Sequence, residues 1–219
     1  MRVAVVSTGN ELIKSGQKIR DHQVYDSNKY QIIHFLKKFN IRVHDLGVLK
    51  DDKIKVDKFY KKNQNKFDII ISSGGSSFSS KDYISSFLSQ NTKLLFKYVR
   101  IQPGRPVIFS KLKFNYYFSL PGNPLAVFTN LFFLLSLFID PSRKDNSSII
   151  KFYQSWFSEN KKSNITKFYR VKLSKNRLYT HNSKGSAKLI SLSEADGLAF
   201  VPEGKDKIKK GEKISFIEF

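Results

Sequence analysis

The sequence predicts an α/β protein in which a mostly parallel sheet, covered by helices, precedes a small all-β module. Apolar β-branched runs alternate with segments of helical periodicity over the first part of the chain, a pattern typical of a parallel sheet. Several of these runs end in glycine-containing loops, and beyond about residue 160 the apolar period changes to two. The 219 residues suffice for one medium α/β domain and a small satellite.

Short apolar runs and amphipathic segments define the elements of the first domain. In the first predicted helix, for example, Ile33, Leu36 and Phe39 recur at helical spacing. The predicted strands cover residues 2–7, 41–46, 67–72, 94–99, 107–110 and 116–120, and the predicted helices cover residues 26–39, 51–63 and 82–88.

A long helix is predicted to begin at the sequence PGNP. Asn123 is suited to cap it, and Pro124 is suited to its first position, where a missing amide hydrogen has no cost. Its apolar run, residues 125–139, is shorter than the ~20 residues that span a bilayer, so we expect a buried helix or an oligomer interface.

A polar stretch after this helix predicts the boundary between two domains, residues 1–142 and residues 143–219. Alternation of apolar residues in the second predicts strands at residues 168–173, 189–192, 199–202 and 214–219.

Composition excludes some classes of site. The chain has no Cys, and its four His residues are far apart, so a metal would be bound by oxygen atoms. Lys and Arg number 39 against 18 acids, but they are scattered through every segment, which is typical of a solvated surface. Met1 leads directly into an apolar strand without the features of a secretory signal, so we expect a cytoplasmic protein.

Polar residues follow the predicted parallel strands where a ligand site is expected. Thr8, Gly9 and Glu11 follow the first strand, Asp51 the second, and the segment from Ser73 to Asp82 the third. Ligands of open α/β sheets bind at the carboxyl ends of strands, and carboxylates there suit Mg²⁺ beside a phosphate. Each residue also has a structural explanation, because Asp51 and Asp82 could cap helices and the glycines could simply form turns. Arg105 is equally an anion contact or a surface charge.

Six motifs in order are more specific than any one of them: STGNEL, VYDSN, LGVLKDD, SSGG followed by DY, VRIQPGRP and FSLPGNPLAV. This set resembles the molybdopterin molybdenumtransferase family, which includes MoeA and the E domain of gephyrin. The segments FYRVKL, KGSAKLISLSEADGLAFVPEG and KKGEKISF resemble the C-terminal β-barrel domain of that family.

The resemblance implies a three-layer α/β/α domain of the MogA type, followed by the β-barrel. It implies molybdenum cofactor biosynthesis, in which molybdate is inserted into adenylylated molybdopterin with Mg²⁺-dependent release of AMP. Glu11, Asp51 and Asp82 match the family's catalytic acids, and Glu11 and Asp82 would bind Mg²⁺. The residues that would bind the pterin nucleotide are Thr8, Gly9, Ser73, Gly74, Gly75, Pro121, Gly122, Asn123 and Pro124, and those that would bind molybdate are Arg105, Arg170 and Ser186.

The chain also departs from the family pattern. Asn10 stands where Asp is usual, Ser79 where Gly is usual, Gln102 where many members have Lys, and Lys184 where Gln is common. Full family members have two further N-terminal domains, which implies a fragment or a split enzyme with a partner chain, and a homodimer. A non-catalytic binding or scaffolding module is the main alternative. A nucleic-acid-binding protein is disfavoured because the basic residues do not cluster, and no membrane partner is expected.

Overall fold

A six-stranded sheet organises the first part of the chain in the computed structural model, which describes residues 1–74, 82–140, 150–162, 164–180 and 190–219. Its strand order is β4-β1-β5-β9-β8-β6, in which the first four strands are parallel and β8 runs antiparallel to both of its neighbours, β9 and β6. These strands are β1 (Val3–Thr8), β4 (Val43–Leu49), β5 (Ile69–Ser73), β6 (Lys93–Tyr98), β8 (Pro106–Leu112) and β9 (Asn115–Leu120). Two-residue strands β2 (Leu12–Ile13), β3 (Val24–Tyr25) and β7 (Ile101–Gln102) lie between them.

Helices cover both faces of this sheet. One face packs against α1 (Asn28–Lys37) and a long helix, and the other packs against α2 (Lys53–Asn63) and α3 (Tyr83–Asn91). Every residue of β1 is buried, as expected for a central strand between two helical layers. The predicted three-layer α/β/α architecture is confirmed.

The long helix consists of α4 (Pro124–Asn130), a π-helical turn over Leu131–Leu135, and α5 (Ser136–Ile139). Asn123 caps it through its side chain, and Pro124 occupies its first turn, as the sequence predicted. None of the helices in the described ranges is both long enough and apolar enough to cross a bilayer.

The second sheet closes into a five-stranded barrel in the order β13-β10-β16-β14-β12, with β12 pairing back to β13. Its strands are β10 (Ile150–Ser155), β12 (Thr166–Ser174), β13 (Arg177–Thr180), β14 (Gly197–Val201) and β16 (Lys213–Glu218), with a separate pair, β11 (Glu159–Asn160) and β15 (Lys207–Ile208). Val171, Ala199 and Phe216 lie in its core. This barrel confirms the fold that the family resemblance implied.

The barrel and the α/β layers share one apolar cluster. Phe133, from the π-helical turn, packs against Phe168 and Phe200 of the barrel at ring distances of 5.1 and 6.0 Å. Phe219, at the end of the barrel, packs against Phe128 at 4.7 Å. Strand β7 also pairs with β12, so hydrogen bonds as well as packing hold the two parts together.

The prediction of a strand at residues 189–192 was wrong. Within the described residues this segment forms a short helix, α6 (Ile190–Ser193), in which Ile190 is 71% exposed and Ser191 is buried. A four-residue alternation of apolar and polar residues is too short to separate a strand from a helical turn. The sequence analysis also missed β13, which follows a two-residue turn at Lys175 and Asn176, both with positive φ, typical of a tight hairpin.

Candidate functional site

The carboxyl ends of β1, β5 and β9 meet at one edge of the sheet. Thr8 Oγ1 donates to the Ser73 carbonyl at 3.2 Å, and the Gly74 amide donates to the Leu120 carbonyl at 3.1 Å. Gly74 has φ +91°, and a Cβ there would lie 2.5 Å from the Thr8 carbonyl oxygen. Only glycine therefore fits at this position, which brings the backbone of β5 close to that of β1.

Asn28, at the start of α1, ties the loops after β5 and β9 together. Its Nδ2 donates to Ser73 Oγ at 2.9 Å and to the Gly122 carbonyl at 2.8 Å. Ser73 and Pro121 are buried while Gly122 is exposed, so this loop pair forms a wall at the rim of the site.

The loop after β1 is joined to the loop after β4. The Asn10 amide donates to Asp51 Oδ2 and the Asp51 amide donates to Asn10 Oδ1, both at 3.3 Å. A Cβ on Gly9 would lie 2.5 Å from Glu11 Oε1, so the Glu11 carboxylate folds back over the Gly9 backbone. Asn10 departs from the family pattern, which usually has Asp at this position. Its neutral side-chain oxygen accepts from the backbone amide of Asp51.

Asp82 is a buried carboxylate with one free oxygen. Its Oδ1 caps α3 by accepting from the Ser85 amide at 2.8 Å, whereas its Oδ2 is buried without a hydrogen-bond partner among the described residues. Burial raises the pKa of Asp82 to about 6, and the nearby Asp51 carboxylate raises it further, while the Ser85 hydrogen bond and Lys97 oppose the shift. The carboxyl group can therefore gain or lose a proton near neutral pH.

Helix capping, the structural explanation offered for Asp51 and Asp82, holds for Asp82 but not for Asp51. Asp82 is the N-cap of α3, but its second oxygen has no hydrogen-bond partner in the part of the chain that the structure describes. The N-cap of α2 is Asp52, which accepts from the Lys55 amide at 2.9 Å, and not Asp51. Asp51 is exposed and bonds across to the β1 loop instead.

The PGNP turn places the start of the long helix beside these loops. Asn123 Oδ1 accepts from the Leu125 and Ala126 amides at 3.0 and 3.2 Å. Two of the first amides of α4 are therefore satisfied by the cap.

The PGRP turn is held by a side chain that sequence analysis did not single out. Asn130, which is fully buried in α4, donates to the Gly104 carbonyl at 3.1 Å and to the Ala126 carbonyl at 2.8 Å. Arg105, next to Gly104, is exposed and lies over the Tyr98 ring at 5.7 Å. The position of this guanidinium is therefore fixed by the turn and the ring.

Arg170 lies in the barrel and hydrogen-bonds to Ser191 Oγ in α6. Burial lowers the pKa of Arg170 from its ordinary value. Among the remaining predicted site residues, Gly75 and Ser186 fall outside the described residues, as do Ser79 and Lys184. The structure thus describes Arg170 and Arg105 on separate domains, connected through the pairing of β7 with β12.

Two asparagines that hold the loops, Asn28 and Asn130, were given no role by sequence reasoning. Asn28 was quoted only within the motif VYDSN, and Asn130 only as an interruption in an apolar run. A polar residue such as Asn130 within an apolar run is a usable signal of a tertiary hydrogen bond, because a buried side-chain amide needs partners. Here one partner is the Gly104 carbonyl in the PGRP turn.

A parallel α/β sheet with these strand-end loops, joined to a closed barrel, defines a ligand-binding α/β protein. Residues 4–140 match the family described as "Probable molybdopterin binding domain", and residues 157–219 match the "MoeA C-terminal region (domain IV)". The first match covers more than half of the chain. The chain belongs to the molybdopterin-binding domain family.

Similar proteins are longer than this chain. It is 33% identical over 135 residues to the molybdopterin molybdenumtransferase of Haemophilus influenzae, covering 62% of this chain and 33% of that protein. It is 28% identical over 235 residues to the protein of the same name from Nostoc sp., covering 99% of this chain and 52% of that protein. A solved molybdopterin biosynthesis moea protein from Pyrococcus horikosii superposes with a TM-score of 0.84 at 27% identity, covering 99% of this chain and 54% of that one. The chain spans at most about half the length of these relatives.

Proposed function

We propose that this chain acts in molybdenum cofactor biosynthesis as part of a molybdopterin molybdenumtransferase. The observation that carries the proposal is the joined set of strand-end loops, in which Gly74 and Asn28 hold the ends of three strands together. The substrates are adenylylated molybdopterin and molybdate, and the product is molybdenum cofactor with release of AMP. The names of the relatives and their fold support this choice of substrates.

The loops suit an anionic pterin nucleotide. We place it against Thr8, Gly9, Ser73 and Gly74, with Gly75 and the turn from Pro121 to Pro124 completing the pocket. The close approach of Gly74 to the Thr8 backbone supports this placement, because it brings the two strand ends that would contact the ligand side by side.

The donor set of the site suits Mg²⁺. Asp82 presents a buried oxygen without a partner among the described residues, and Asp51 is close enough to raise its pKa. Mg²⁺ is typically held by one or two carboxylates together with substrate phosphates and water. Within the described ranges no cluster of three His, Cys, Asp or Glu side chains forms a metal site, so substrate oxygens would complete the coordination. We propose that Asp82 and Glu11 hold the ion, which would neutralise charge on the phosphate.

Asp82 and Asp51 would also act on the water that cleaves the adenylate. Without the ion the pKa of Asp82 is about 6, so near neutral pH the group is largely ionised, and as a carboxylate it would hold both Mg²⁺ and a water molecule of the ion's coordination shell. Asp51, held by the Asn10 amide, would orient that water.

Molybdate would bind between the domains. Arg105 and Arg170 carry guanidinium groups, which suit a tetrahedral dianion, and Ser186 would add a hydroxyl. The pairing of β12 with β7, which directly precedes the PGRP turn, supports this role for the barrel. We further propose a cytoplasmic homodimer whose site is completed by the N-terminal half found in longer relatives, supplied by a longer polypeptide or by a partner chain.

The test is a reaction of the chain, alone and with the N-terminal half of a relative, with adenylylated molybdopterin, Mg²⁺ and molybdate. AMP and active cofactor are measured. We expect Asp82→Asn to lower product formation by on the order of 100-fold, the usual effect of removing an acid–base group. Asp52→Asn is the control, because it makes the same change at the cap of α2, where Asn caps equally well.

Product formation unchanged by Asp82→Asn would contradict the catalytic assignment. A non-catalytic binding module is the second candidate, and the departures from the family pattern at Asn10 and Gln102 favour it. Under that alternative the chain binds adenylylated molybdopterin but releases no AMP in either mixture.

A further inference from the structure

Asn28 bridges the end of β5 and the loop after β9, both of which carry proposed ligand contacts. Its single Nδ2 group reaches Ser73 Oγ, on the last residue of β5, and the Gly122 carbonyl after β9, at 2.9 and 2.8 Å. Nothing in the proposed reaction uses Asn28 itself.

The bridge lies at the end of the ladder between the two strands, where Ser73 pairs with Leu120. Directly after Ser73, the Gly74 amide donates to the Leu120 carbonyl at 3.1 Å. Past it, a Cβ placed on Gly122 would lie 3.9 Å from the Gly74 Cα, so the two loops remain in contact after the ladder ends. The contact of Ser73 Oγ with the Pro121 carbonyl, at 3.5 Å, is at the limit of a hydrogen bond. The two short bonds from Asn28 are thus the stronger connection.

The backbone that carries Asn28 is itself fixed. Lys29 is buried, and its Nζ lies 3.5 Å from Asp26 Oδ2 and 3.2 Å from Asp45 Oδ2, which ties the first turn of α1 to β4. Further along α1, Ile32 and Phe35 lie in the core of the sheet. A side chain on such an element can hold a loop in one position.

We propose that Asn28 is a positioning residue for the pterin nucleotide, holding the Gly122 loop against Ser73 at the end of β5 so that both contact the ligand. The inference rests on the proposed function. Asn28 acts through its two N–H bonds and does not need to touch the reacting atoms.

Two variants separate this role from simpler ones. Asn28→Asp keeps the shape but removes both donors, and Asn28→Ala removes the donors without adding a charge. If the N–H bonds matter, both variants weaken binding of adenylylated molybdopterin, by on the order of 10- to 100-fold for the loss of one part-buried and one exposed hydrogen bond. If Asn28 only fills space, Asn28→Ala alone weakens binding. If the negative charge of the new carboxylate repels the anionic ligand, Asn28→Asp alone weakens binding.

The experiment titrates the full chain with adenylylated molybdopterin and records thermal unfolding of each variant. Asn63→Asp and Asn63→Ala are matched controls, because Asn63 is a buried amide that donates to the Phe59 carbonyl at 2.8 Å near the end of α2. We expect the controls to bind as tightly as the wild type. An Asn28 variant that binds as tightly as the wild type would overturn the inference while leaving the proposed function intact. A wild-type chain that does not bind would instead overturn the proposed function.

Discussion

At the scale of single residues, Asp82 combines a structural and a chemical role. One oxygen caps α3, and the other is buried without a partner among the described residues. A cap alone would be served equally well by Asn, which carries no charge and avoids the cost of burying one. The retained carboxylate therefore points to chemistry at this position.

The buried charge of Asp82 makes a prediction about stability. Its pKa rises from 3.8 to about 6 on folding, so the folded chain binds the extra proton between these values and the free energy of unfolding falls as pH rises through them. Asp82→Asn should stabilise the protein at pH 7 by up to about 3 kcal/mol, and the gain should vanish below pH about 4. Urea unfolding at several pH values, without divalent ions, measures this difference.

Asp52→Asn provides the comparison for this experiment. It changes the cap of α2 in the same way at a half-buried position. A gain for Asp82→Asn that is the same at every pH, or the same as that of Asp52→Asn, would show that the buried carboxylate does not control stability.

Some of these residue roles were visible in the sequence and others were not. The strand-end position of Glu11, Asp51 and Asp82 follows from the order of apolar runs, because parallel strands all end at one edge. The caps could not be assigned, since Asp51 and Asp52 are adjacent and only the backbone shows which one begins the helix. The reach of Asn28 across 45 and 94 residues of chain depends on tertiary packing, which no local pattern contains.

At the scale of elements, the long helix after PGNP serves both domains. Leu131 and Leu135, at the two ends of its π-helical turn, are buried against the sheet. Phe133, between them, faces the barrel and contacts Phe168 and Phe200. Its apolar run predicted a buried helix, but no periodicity argument predicted that a π turn would direct one ring to the second domain.

Removing the Phe133 ring should weaken the contact between the domains. We expect Phe133→Ala to lower the free energy of unfolding by roughly 3 kcal/mol, the low end for Phe in a core because this ring is only partly buried. Because the lost contact joins two separate cores, thermal unfolding should change from one transition to two. Calorimetry of the variant measures both effects.

Phe114→Ala is the control for this change. Phe114 is 90% exposed in the turn between β8 and β9, so its removal should alter stability by less than about 0.5 kcal/mol. A single transition at an unchanged midpoint in the Phe133→Ala protein would show that the two parts do not depend on this helix.

The barrel was implied by the family resemblance, but its individual strands were harder to predict from local pattern. Period-two alternation indicated an all-β module, and the strands β12, β14 and β16 lie close to their predicted positions. Strand β13, which completes the closure, was not predicted, because it has only four residues and follows a turn of Lys and Asn with no glycine. The segment Ile190–Ser193 was predicted as a strand but forms a helical turn. Its exposed Ile190 and buried Ser191 reverse the usual burial of apolar side chains and exposure of polar ones.

At the scale of the whole molecule, the loops and the barrel form two parts of one proposed site. The sheet edge supplies carboxylates and a backbone shaped by glycine. The barrel supplies Arg170 on β12, the strand that pairs with β7 directly before the turn that carries Arg105. The chain spans at most about half the length of the relatives that it matches. The strand-end loops are the part of the proposed site that a binding experiment on this chain tests directly.

The most direct test of the account is a titration of this chain with adenylylated molybdopterin, comparing the wild type with Gly74→Ala and Gly204→Ala. Both glycines have positive φ, at +91° and +88°, but only at Gly74 would a new Cβ meet other atoms, whereas nothing lies within 4 Å at Gly204. The account predicts saturable binding of one ligand per wild-type chain, kept in Gly204→Ala and lost in Gly74→Ala. No binding by the wild type, or equal binding by both variants, would contradict the claim that the strand-end loops hold the pterin nucleotide.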